Sequence, residues 1–249
     1  MAVALPSPSA VLPTSPAAVV EALRADDGAL ATAIERWSKK TRPPRDVVLL
    51  ALHRQRLVRS LAARPTLARP VEHRLPAVKD DIVARADLTR LSAATPALRS
   101  RVHLGPAASA AHLLTWYREA EARFGIRWQV LAAINFVESA FGRVRNTSSA
   151  GAQGPMQFEP ATWRAYGLGG DVHQPRDAIL GAANYLAANG GAHRERDALL
   201  HYNHSTLYVD AIERYAHRMA RRDDAFFEYY SWQIYVRTAA GYRRVTGPR

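Results

Sequence analysis

Residues 146–158 read NTSSAGAQGPMQF, and the interpretation of this stretch decides the fold. Gly151, Gly154 and Pro155 break any helical or alternating pattern, so the segment is a tight irregular turn. Its backbone should lie close to something, with amide and hydroxyl groups available. Just upstream, residues 126–141 carry Val130, Ile134, Val137 and Phe141 as an apolar helical stripe, with Leu131 beside it. Glu138 falls four residues after Ile134 and seven after Leu131, which puts it on the same half-covered side. A carboxyl held there loses water, and its neutral form is favoured. That is the state a general acid needs near neutral pH. Periodicity alone also allows a plainer reading, a glutamate at a helix end that reaches solvent.

Downstream, Pro160 opens a short helix that Gly167 stops, and GLGGDVHQP leads into RDAILGAANYLAANGG, closed by Asn189–Gly190–Gly191. ALLHYNHS and YVDAIERYAHRM complete the run. The order ES…S-x-x-GAxGPMQF-x-P-x-TW…DAIxxAAxYL…YN…YV resembles the soluble lytic transglycosylase family over about residues 106–220. The GPMQF version looks most like the actinobacterial secreted enzymes and the membrane-bound B-type group. The resemblance implies an all-α, goose-type lysozyme-like fold that cleaves peptidoglycan glycan between N-acetylmuramic acid and N-acetylglucosamine.

Carried over residue by residue, the resemblance makes Glu138 the family's single acid/base. Ser148 matches the serine near the substrate's N-acetyl group, and Gln157 matches the glutamine lining the groove. Met156 packs under the groove floor. Tyr202 matches the tyrosine whose hydroxyl points at the catalytic carboxyl, and Asn203 shapes the same pocket. Ser139 reads as structural. The acidic calcium loop of the B-type group is replaced here by GLGGDV with one acid, Asp171, so no metal site is carried over and no cofactor is expected. Glu159 before Pro160 and Asp171 before Pro175 read as helix-terminal charges rather than as a second catalytic carboxylate. The expected product is therefore a 1,6-anhydro ring. A hydrolytic muramidase and a catalytically silent wall-binding protein are the competing readings.

The rest of the chain is less specific. Residues 1–16 hold Pro6, Pro8, Pro13 and Pro16 and read as a disordered lead-in without the pattern of a signal peptide. Residues 17–105 read as a helical N-terminal region, with Asp27 expected to cap a helix bearing Leu30, Ile34 and Trp37. Further helices are expected from Asp46, after Pro76 and after Pro106. Residues 221–249 form an aromatic tail, in which FFEYYSWQIYVRT (226–238) reads as a strand or hairpin arm, more for packing than for stacking on sugar.

The 249 residues include no cysteine, which excludes disulfides, thiolate metal sites and cysteine nucleophiles. No run approaches the length of apolar residues that spans a bilayer. His201 and His204 lie three apart, but no third ligand accompanies them. Lys plus Arg is 34 against 22 acids, a net charge of +12, and arginines crowd residues 42–101. Such a surface suits an anionic partner. No nucleic-acid motif supports DNA or RNA, so the expected partners of a monomeric, extracytoplasmic enzyme are glycan strands and anionic wall polymers.

Overall fold

The computed structural model describes residues 4–94 and 101–248. Residues 1–3 of the lead-in, residues 95–100 of the N-terminal region with Arg99, and Arg249 lie outside them. The described residues form eleven α-helices and one two-stranded hairpin, so the all-α reading holds. The chain divides into two compact units. One combines Met1–Leu98 with Arg222–Arg249, and the other is Arg99–Arg221.

The first unit contains α1 (Pro16–Arg36), α2 (Arg45–Ala62), α3 (Pro65–Arg74) and α4 (Lys79–Ala93), with a 3-10 turn at Pro76–Val78. Helix α1 begins eleven residues before Asp27. Ser15 caps it, accepting from the Ala18 N–H, and Pro16 supplies the fixed φ of a first helical residue. Asp27 is therefore a mid-helix residue, and its carboxylate has another use. It accepts from Arg54 Nε at 2.6 Å, while Arg54 Nη1 reaches Asp81 at 2.9 Å and Glu228 at 2.8 Å. Arg54 is 1% exposed, and Asp81 and Glu228 are fully buried. One guanidinium thus joins α1, α2, α4 and α11 (Ala225–Ser231) in the buried interior of this unit. A charge taken out of water this completely is tolerated only when its donors are used by carboxylates.

The aromatic tail is divided. Residues 226–231, expected as strand, are helical in α11, and Phe226, Tyr229 and Tyr230 fall on its buried face at i, i+3 and i+4. Local β preference yields here to tertiary packing, since rings at that spacing cover one side of a helix. Trp37 meets Phe227 edge-on and packs against Tyr230. Beyond Trp232 the hairpin reading holds, with β1 (Tyr235–Thr238) pairing antiparallel with β2 (Gly241–Arg244). The Gln55 side chain donates to the Gln233 carbonyl and accepts from its N–H, which fixes the segment between α11 and β1 on α2.

The second unit is built around α6 (Trp128–Ser139), whose residues 130–135 are all buried. A helix apolar on every side must be covered on every side. Helices α5 (Ala110–Phe124), α8 (Pro175–Ala188) and α10 (Thr206–Arg221) cover it. On α10 the buried positions Tyr208, Ile212, Tyr215 and Met219 recur at three- and four-residue spacing, the pattern of an amphipathic helix. Two shorter helices, α7 (Pro160–Tyr166) and α9 (Glu195–Tyr202), complete the unit.

Candidate active site

The carboxyl of Glu138 lies at the last turn of α6, where the helix ends abruptly. Ala140, Phe141 and Gly142 all have positive φ, at 52°, 64° and 78°. Two of the three carry side chains, so the turn holds strain that the surroundings must offset. Phe141 contributes by stacking on Phe136 and remaining buried. The sharp stop leaves Glu138 at the end of a rigid, fully packed helix, and rigid elements position side chains better than loops do.

The turn 146–158 is held against that helix end by buried polar groups. Asn135 Nδ2 donates to the Pro155 carbonyl at 2.7 Å, and the Ser139 hydroxyl donates to the same carbonyl. Asn135 Oδ1 accepts from the Tyr117 hydroxyl at 2.6 Å, and Ser139 Oγ accepts from the Gly142 N–H at 2.8 Å. Ser139 is thus a structural tie. Gln153 and Phe158 pair as an antiparallel bridge on either side of the turn, and Gln157 at its tip has φ 51°. The close approach expected from the glycines is found at Gly154 (φ 73°), where a Cβ would lie 2.0 Å from the Val172 carbonyl oxygen. Only glycine fits between these two backbone segments.

Burial is the leading influence on Glu138 and pushes its carboxyl up from 4.5 to about 7. The Tyr208 hydroxyl, donating to Oε1 at 2.7 Å, pulls the other way. No neighbouring charge contributes to the shift. A carboxyl raised by desolvation alone, with one neutral donor on it, can hold a proton at neutral pH and still accommodate the carboxylate left behind.

Tyr202 departs from its expected role. Its hydroxyl donates to the Met156 carbonyl at 2.7 Å, and the tyrosine on the Glu138 carboxyl is Tyr208. The physical reason is placement. Tyr202 is the last residue of α9, whereas Tyr208 lies on the buried face of α10, the helix packed along α6. Tyr202 remains near, since the negative charge of Glu138 adds to burial in raising its phenol well above the usual range. The sequence held a signal for Tyr208: it begins the YV pair, and a phenol on a buried stripe requires a partner.

The other expected residues are placed as follows. Met156 is fully buried. Gln157 is half-buried, with its amide donating to the Gly154 carbonyl at 3.0 Å and, at 3.4 Å, to that of Asn146. Ser148 is exposed, and its Oγ accepts from the Ala152 N–H at 3.0 Å, leaving its proton to donate outward. Asn203 ends α9 and accepts from the Ser205 N–H at 3.2 Å. Phe158, Trp163, Tyr185 and Tyr202 form a chain of edge-to-face contacts beside the turn, with centroids 5.1–6.1 Å apart. Glu159 and Asp171 are both exposed, and Asp171 spends a carboxylate oxygen on the His173 N–H at 2.8 Å. Among the described residues no three His, Asp or Glu side chains cluster as metal ligands would.

One curated relative, the membrane-bound lytic murein transglycosylase F of Thiobacillus denitrificans, is 39% identical over 71 residues. That match covers 28% of this chain and 15% of the relative, so the chain spans only a small part of that protein's length. No solved structure matches. Residues 115–224 match the family described as the transglycosylase SLT domain. That span includes Glu138, the GPMQF turn and Tyr208 together, so the similarity to the transglycosylase SLT domain takes in this whole site.

Proposed function

We propose that this chain is a peptidoglycan lytic transglycosylase that breaks the β-1,4 bond between N-acetylmuramic acid and N-acetylglucosamine, with Glu138 acting first as acid and then as base. The observation that carries the reading is the Glu138 carboxyl, raised to about 7 by burial and contacted by Tyr208 with no second charge acting on it. In the first step the protonated carboxyl gives its proton to the bridging oxygen, and the leaving sugar departs with it. The positive charge developing at C1 is held by the sugar's own N-acetyl oxygen, so no protein nucleophile is required. In the second step the Glu138 carboxylate, stabilised by the Tyr208 hydroxyl, accepts the proton of the C6 hydroxyl as that oxygen attacks C1 and closes the 1,6-anhydro ring. Proton count is conserved, and Glu138 ends as it began. The exposed Ser148 hydroxyl and the half-buried Gln157 are the groups that would hold the glycan beside it. Action on the wall implies an extracytoplasmic location, in keeping with the membrane-bound relative.

The test is the product. Muropeptides released from purified sacculi should carry 1,6-anhydro ends, lighter by one water than hydrolysed ends. Reducing ends would replace the transglycosylase reading with a muramidase, and intact sacculi would leave a binding protein.

The pH profile gives a second prediction. The first step requires protonated Glu138, so activity should fall as pH rises through about 7. Tyr208→Phe removes a donor that favours the carboxylate, so the carboxyl should move further up and the alkaline limb with it. The same variant should lose roughly tenfold in kcat, the worth of one hydrogen bond to a charged group, with KM little changed. An alkaline limb that stays in place would show that Tyr208 does not act on the ionising group.

A further inference from the structure

The first unit contains a cleft of about 380 Å³ whose chemistry has no part in glycan cleavage. Leu12, Arg56, Arg59, Arg85, Tyr235 and Tyr242 line it, and no acidic residue does. The arginines come from two helices, Arg56 and Arg59 from α2 and Arg85 from α4. The third wall is the hairpin. Its register sets Tyr235 opposite Arg244 and Arg237 opposite Tyr242, so two tyrosines and two more arginines share one face.

The guanidiniums are held in place. That of Arg59 lies 3.9 Å from the Tyr235 ring centroid and 4.9 Å from that of Tyr242, and that of Arg85 lies 5.4 Å from the Tyr242 ring. Stacking on two rings fixes the plane of the Arg59 guanidinium. Arg56 gives Nη2 to the Ala10 carbonyl at 2.7 Å, yet its Nη1 is buried without a hydrogen-bond partner. The Tyr242 hydroxyl and Arg244 Nη1, on the adjoining hairpin face, are likewise buried without one. Buried donors without acceptors cost free energy, and like charges gathered in a half-dry cleft repel. Stacking on tyrosine offsets part of the repulsion but satisfies none of those donors.

We propose that this cleft binds a phosphate group. Three arginines and two tyrosines from α2, α4 and the hairpin line it, with no carboxylate among them. Such an array is met by a tetrahedral oxyanion with acceptors on every side, whereas a planar carboxylate is satisfied by one guanidinium fork. A doubly charged group also suits three lining arginines better than a singly charged one. The phosphate belongs either to a free phosphate or monoester, or to the phosphodiester backbone of an anionic polymer. The site is independent of Glu138, so the glycan-cleavage reading and this one fail separately.

Calorimetric titration of the full chain at about 0.15 M salt, where diffuse charge attraction is already screened to about 8 Å, tests the proposal. The probes are inorganic phosphate, poly(glycerol phosphate) and acetate. One saturable phosphate site is expected. Arg85→Gln and Arg56→Gln should each weaken it about tenfold or more, the worth of one charge-assisted hydrogen bond. Tyr242→Phe, which removes only a hydroxyl and keeps the ring under Arg59, should weaken it by about threefold or more. Arg42→Gln, which removes an equally charged but exposed arginine outside the cleft, should change it by less than about twofold. Tighter binding of the polymer than of free phosphate would assign the site to a phosphodiester chain, and the reverse to free phosphate or a monoester; either result supports the proposal. It is overturned by the absence of saturable binding, by acetate binding as well as phosphate, or by equal losses from Arg42→Gln and Arg85→Gln.

Discussion

Glu138→Gln should reduce the clearing of cell-wall suspensions by at least about a hundredfold while the protein remains folded. The amide keeps the shape of the side chain and can still accept from Tyr208, but it has no proton to give or take back. Stability should move in the opposite direction to activity. The folded carboxyl titrates near 7 and the unfolded one near 4.5, so the native state holds its proton more tightly than the unfolded state does. Native stability is therefore full below the unfolded value and falls as pH rises from about 4.5 to about 7, by up to about 3 kcal/mol. Glutamine is neutral throughout. The variant should match the wild type near pH 4, gain on it across that window, and keep the gain above pH 7, as chemical denaturation at several pH values will show. Near-wild-type clearing by the variant would end the assignment of Glu138 as the acid. A stability difference that does not change with pH would mean that the carboxyl is not desolvated.

Arg54→Met should produce the largest loss of stability of any single change in the first unit. The methionine fills much of the space, but Asp81 and Glu228 are then buried without their guanidinium. Removing one partner of a buried ion pair costs about 3–5 kcal/mol, far more than the pair itself contributes. Two buried carboxyls deprived of that guanidinium favour their neutral forms, so the loss should be greatest at and above neutral pH and shrink as acid supplies protons. An unfolding transition of the first unit followed in urea at pH 7.5 and pH 5 measures both effects. A loss below about 1 kcal/mol would mean that solvent or a neighbouring cation already compensates those carboxylates.

What the sequence disclosed, and what it did not, follows from the range of the interactions involved. The helix bearing Glu138 and the GPMQF turn were legible because their signals are local: an apolar stripe, then glycines and a proline at fixed intervals. Even the close approach at Gly154 was legible as an approach, although nothing identified Val172 as the other party. The tyrosine on the acid was assigned to Tyr202 because the resemblance carried the YN tyrosine to that role. The contact is made by Tyr208, and which tyrosine reaches Glu138 depends on how α10 packs along α6, a relation across 70 residues. Asp27 looked like a cap because nothing in sequence joins it to Arg54, 27 residues later. Helix α3 was not among the helices expected. Pro65 occupies its first helical position, where no donor is lost, while Pro70 lies inside the helix and forgoes one backbone hydrogen bond. The helical half of the tail was concealed because its aromatic residues favour strands until a neighbour offers them a face.

The division of the first unit between the two ends of the chain has a consequence for biosynthesis. Glu228, Tyr229 and the hairpin belong to the unit that α1 begins, yet they leave the ribosome only after the whole of Arg99–Arg221. Arg99–Arg221 is therefore fully synthesised while α1, α2 and α4 still wait for the helix that brings Glu228 to Arg54. During that interval Arg54 can be neutralised by Asp27 and Asp81, but it lacks Glu228, and Trp37 lacks Phe227 and Tyr230. Domains fold as units during synthesis, and half-made cores are where chaperones bind and aggregation starts. A released chain ending at residue 221 should accordingly be protease-resistant in the later-coded unit and protease-sensitive in the earlier one.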